Sequence, residues 1–80
     1  MKIYVLIHRY DTPDSDGEEY IGAYRTLEMA RDAMHVDFAK VRQSPWKDVI
    51  GKNRIYLKFY DNNEEVHSHE WEIITMELWG

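Results

Sequence analysis

The chain has 80 residues, 44% of them hydrophobic and 14% aromatic, with a net charge of −5 and no cysteine. That length holds one small domain, and the missing thiols exclude disulfides, thiolate metal centres and cysteine nucleophiles. The apolar content argues for a core and against global disorder; no run reaches the ~18 apolar residues of a membrane span and nothing resembles a signal peptide, so a cytoplasmic location is expected.

The first strand is predicted over Lys2–Tyr10, where side chains alternate between two faces. Ile3, Val5 and Ile7 share one face, and Tyr4, Leu6, His8 and Tyr10 share the other. Pro, Gly and Asp concentrate over residues 11–17 and mark a polar loop. A short strand follows over Glu19–Tyr24, which completes a hairpin. Thr26 has the hydroxyl of a helix N-cap, and Glu28 complements the dipole of the first turn. Leu27, Ala30, Met34, Phe38 and Val41 recur at helical spacing, which predicts an amphipathic helix over about 27–43. This helix is expected to cover the aliphatic face of the sheet.

Ser44, Pro45 and Gly51 read as the cap, first residue and stop of a short helical turn over about 45–50. Arg54–Tyr60 alternates again, with Ile55, Leu57 and Phe59 opposite Tyr56, Lys58 and Tyr60. Asp61-Asn62-Asn63-Glu64 signals a tight turn. The last strand runs from about 65 to 78, and its apolar parity changes between Ile73 and Ile74. A β-bulge there would keep both sets inward. The fold class is therefore α+β: a four-stranded antiparallel sheet in the order β-β-α-β-β, with one main helix packed on one face.

All six tyrosines, Tyr4, Tyr10, Tyr20, Tyr24, Tyr56 and Tyr60, fall on expected strands. Tyr gives large contact area at low entropy cost and is enriched at protein interfaces. These residues are the candidate protein-binding set, weighed against ordinary cross-strand packing on a half-wet sheet. An RNA-binding sheet would need a basic, glycine-containing aromatic run, which is missing. The acidic balance also argues against direct nucleic-acid binding.

His67-Ser68-His69 places two imidazoles on one strand face, and His8 could add a third if the first and last strands are neighbours. A solvated pair is the preferred reading, and no metal is expected. Asp14-Ser15-Asp16-Gly17 has part of a calcium-loop pattern, but Thr12 and Ala23 stand where acids are needed. No phosphate loop or nucleophile motif is present, so no catalytic residue and no cofactor is assigned.

Tyr4-Val5-Leu6-Ile7-His8-Arg9-Tyr10, Glu19-Tyr20-Ile21-Gly22-Ala23-Tyr24 and Thr26-Leu27-Glu28-Met29-Ala30-Arg31-Asp32-Ala33 resemble a group of short bacterial and phage-encoded domains of unknown function. The likeness covers the first half of the chain. It implies a small intracellular domain and assigns no catalytic residue.

The expectation from the residues is a non-enzymatic protein-binding module, self-associating as a homodimer through a Tyr-rich sheet face. A domain this small buries only ~60% of its unfolded surface, so a second copy would help it. The alternative is an acidic inhibitor that presents carboxylates where a nucleic-acid enzyme expects phosphates. Residues 61–72 hold five carboxylates and no Lys or Arg, and residues 9–19 hold five carboxylates against Arg9.

Overall fold

A computed structural model describes residues 1–41, 47–61 and 64–78. Its elements in chain order are β1 (Lys2–Asp11), β2 (Asp16–Tyr24), α1 (Leu27–Val41), β3 (Lys47–Ile50), β4 (Arg54–Asp61) and β5 (Glu64–Glu77). The strands form one antiparallel sheet in the order β2-β1-β5-β4-β3. The α+β class holds, and the sheet has five strands rather than four.

The extra strand is β3, in place of the expected helical turn. Residues 47–50 are extended and pair with β4 from Lys47↔Lys58 to Ile50↔Ile55. Gly51 begins a tight connection in which its amide donates to the Arg54 carbonyl at 2.8 Å. The expected cap and first residue of that turn, at 44 and 45, lie outside the described residues.

Helix α1 starts as its sequence dictates. The Thr26 hydroxyl accepts from the Met29 amide at 3.1 Å, and the Thr26 carbonyl takes the first helical bond from Ala30. Its apolar stripe of Ala30, Met34 and Phe38 is buried. The Arg31 guanidinium donates to the Lys52 carbonyl and to Asn53 Oδ1, which ties the helix to the β3–β4 turn.

On β1 the face that α1 covers is the reverse of the one expected, whereas on β4 the expected Ile55 and Leu57 do face the helix. Leu6, Ile55, Leu57, Trp71 and Ile73 pack with the helix stripe, and Tyr4 and Tyr24 close the cluster's margin. Ile3, Val5 and Ile7 therefore lie on the face without the helix. The reason is visible across the sheet rather than in one strand. Register sets Ile55 beside Trp71 and Leu6 beside Ile73, so the Tyr4–Leu6 side sums to the larger apolar area.

No bulge occurs at Ile73–Ile74. The β1–β5 ladder is continuous from Lys2↔Glu77 to Asp11↔Ser68. The parity change is real, because Ile73 faces the helix while Ile74 and Met76 face the other way beside Val5 and Ile3. Register shifts sit elsewhere, between Leu6 and Ile7 against β2 and between Phe59 and Tyr60 against β5. The first leaves Ile21 as the extra residue and turns it toward the core cluster.

Candidate functional site

Directly paired residues share a face, so the register maps the helix-free surface row by row. One row reads Asp16, Asp11, Ser68, Lys58 and Lys47 from the β2 edge to the β3 edge. The next reads Glu18, Arg9, Glu70, Tyr56 and Val49. Tyr20, Ile7, Glu72 and Arg54 follow. Beyond them come Ala23, Val5 and Ile74, then Ile3 and Met76. The face is acidic at one edge, basic at the other, and aliphatic at one end.

Two arginines hold the centre. Arg9 donates to Glu18 at 2.8 Å, Glu70 at 3.1 Å and Glu72 at 2.8 Å. Arg54 donates to Glu72 and lies 3.3 Å from Glu70. The hydrogen bond from Arg9 is the main cause that holds the Glu72 carboxyl below its ordinary value, with Arg54 adding to it. Both guanidiniums are raised in turn, chiefly by Glu72. Beside this network a hollow of about 250 Å³ opens over the small Ser68, with Arg9, Asp11, Tyr56, Lys58 and Glu70 among its walls.

The six tyrosines do not share one surface. Tyr4 and Tyr24 pack at the margin of the helix-side core. Tyr10 alternates onto that same side, its ring 5.7 Å from His8. Tyr20, 72% exposed, and Tyr56 lie on the helix-free face. Tyr60 follows the β4 register shift and has the Lys47 amine 5.3 Å over its ring. The sequence reading missed the aliphatic members of the helix-free face. Their signal was the parity change in β5, which marks a strand apolar on both sides.

On the helix side β1 and β5 bring two of the named histidines together. His8 Nε2 and His69 Nδ1 are 2.8 Å apart and share a hydrogen bond. The His8 ring stacks on Trp71 at 4.6 Å, and the Trp71 indole N–H donates to Asp37 at 2.7 Å. His8 Nδ1 lies 4.0 Å from the same carboxylate. Burial lowers the pKa of His8, against the opposing pull of Asp37 and Glu19. Burial also lowers His69, helped by His8 and His67 and opposed by Asp37. A hydrogen-bonded, stacked and desolvated pair is built for packing as neutral rings. His67 lies further along β5 with its ring 5.8 Å from Phe59. Among the described residues no three His, Asp or Glu side chains are grouped to hold a metal ion. None of their helices is long and apolar enough to cross a membrane.

Comparison with protein-family models, with curated proteins and with solved structures finds no match for this chain, and the resemblance seen in its first half rests on those motif residues alone.

Proposed function

We propose that this chain is a non-catalytic protein-docking module whose docking surface is the helix-free face of the sheet. One observation carries the reading: Ile3, Ile74 and Met76, none of them buried, gather on the side that has no helix, over Val5 and Ile7, which are already buried within it. An antiparallel sheet meant to meet water on one side carries polar residues there, and the end of this face from Ile74 to Met76 and Ile3 does not. The shape is a thin slab drawn out along its strands, 51 × 21 × 16 Å. The radius of gyration is 13.8 Å, against about 12 Å for a compact monomer of this length. Tyr20 and Tyr56 supply the aromatic contacts in this reading, while Tyr4 and Tyr24 belong to the core.

The acidic-inhibitor reading is the weaker one. A phosphate mimic needs carboxylates free to meet a basic groove, and Glu18, Glu70 and Glu72 are already bound by Arg9 or Arg54.

The test compares three baits in one lysate: wild type, Ile74→Glu with Met76→Glu, and Met29→Glu with Val36→Glu. Met29 and Val36 are exposed helix residues and serve as the control. A specific partner, whether another protein or the untagged chain, should be held by wild type and the helix variant and lost by the sheet variant. Equal retention by all three folded baits would remove the docking face.

A further inference from the structure

Resting on that docking reading, we infer that the occupant is a second copy of this chain, stacked sheet to sheet about a two-fold axis parallel to the strands. The charge layout of the face carries the inference. In the row Asp16, Asp11, Ser68, Lys58, Lys47, acids stand on β2 and β1, and bases stand on β4 and β3. Ser68 on β5 is its middle. Rotation about an axis along β5 lays each row over its own reverse. Asp16 then meets the second copy's Lys47, and Asp11 meets its Lys58. In the next row Arg9 comes over the second copy's Tyr56, a cation–π arrangement. At the aliphatic end Ile74 and Met76, on the axis strand, meet their own copies, with Ile3 beside them.

The other in-plane axis, perpendicular to the strands, lays the aliphatic end over the charged end and each edge over its like. Of the two, the strand-parallel axis sets acids against bases in the Asp16–Lys47 row and keeps the apolar end of β5 against itself, and it leaves Glu18 over Val49 and Ile7 over Arg54 in the rows between. Its near-aligned strands are also the common geometry for stacked antiparallel sheets. Glu70 and Glu72 would face their own copies close to the axis, and their pairing to both Arg9 and Arg54 screens that approach. Strand spacing and rise give five strands of this length a face on the order of 700 Å², close to the ~800 Å² per partner of a standard stable interface.

Sedimentation across micromolar concentrations, with circular dichroism as the folding control, tests this. Wild type should dimerise. Lys47→Glu with Lys58→Glu makes both edges acidic, and Asp11→Lys with Asp16→Lys makes both basic. Each double variant alone should weaken self-association about tenfold or more. An equimolar mixture should associate again as a heterodimer, which shows that neither variant failed to fold. Wild type that stays monomeric at every concentration overturns the second copy as occupant, and the three-bait comparison then decides the docking face separately. A dimer indifferent to both reversals, or a folded mixture that does not associate, overturns the strand-parallel axis.

Discussion

On the helix side of β1 stand Tyr4, Leu6 and His8; one residue out of step, on the opposite side, stand Ile3, Val5 and Ile7. Read in isolation, the second set is the more apolar. The helix nevertheless covers the first, because β4 and β5 add Ile55, Leu57, Trp71 and Ile73 to it. The same two strands give the other face mostly charge, in Arg54, Lys58, Glu70 and Glu72, with Tyr56, Ile74 and Met76 beside it. A sheet chooses its covered face by the sum over its strands, and a central strand can be apolar on both sides while its neighbours decide.

The sharpest way to break this contrast is Trp71→Ala. Trp71 is fully buried, stacked on His8 and edge-on to Phe38 at 5.7 Å. Its truncation should cost about 3–5 kcal/mol, a large part of the stability of a small domain. Urea unfolding measures it, and a loss below about 2 kcal/mol would deny the helix side its role as core. Ile7→Ala probes the other face. Ile7 is only 3% exposed although no helix covers it, and the loss in dilute solution should be about 2 kcal/mol, the low end for buried Ile. Urea unfolding measures this loss as well, and a loss below about 1 kcal/mol would deny Ile7 a packing role.

The histidine pair adds a pH test of the helix side. His8 and His69 are held below the ordinary imidazole value of 6.5. The unfolded chain therefore takes up protons first as pH falls. The stability this contributes is present above about pH 6.5 and is lost as pH drops through the lower folded values. The melting temperature of wild type should fall from about pH 7 to about pH 5, and His69→Gln should flatten that fall. An unchanged slope would mean that the pair is not the group being titrated.

The smallest effect belongs to the charged centre of the helix-free face. Arg9→Met removes three carboxylate contacts from a side chain that is 34% exposed. Exposure limits the loss to about 1 kcal/mol, shrinking in high salt. Its acid limb also differs from that of the histidines. The lowered Glu72 carboxyl contributes stability above its unfolded value, and that is lost only as pH falls through the lower folded one. A salt-independent loss of several kcal/mol would instead make Arg9 a packing residue.

Much of the fold was legible because local rules dominated it. Alternation fixed β1 and β4, and Thr26 with the Ala30–Met34–Phe38 spacing fixed α1. What escaped was decided by pairing between distant segments. Lys47–Ile50 is too short for periodicity to separate strand from helical turn, and its state is set by the ladder to β4. The neighbour relation of β1 and β5, which brings His8 to His69, is likewise invisible along the chain. The candidate site was half legible. Tyr20 and Tyr56 belong to the expected tyrosine set and lie on the helix-free face, where Ile3, Val5 and Ile7, expected under the helix, lie too.

The slab proportions of the domain, 51 × 21 × 16 Å, set how it drags through water. Stacking two slabs through their thin axis roughly doubles the shortest dimension to about 30 Å and brings the particle closer to a sphere. Joining them along an edge would leave the thin axis unchanged and keep the plate-like outline. A stacked pair should therefore show a lower frictional ratio than the single chain even as its mass doubles. Rotational diffusion should become less anisotropic as well, so the same feature that leaves one sheet face uncovered makes the mode of pairing readable from motion alone.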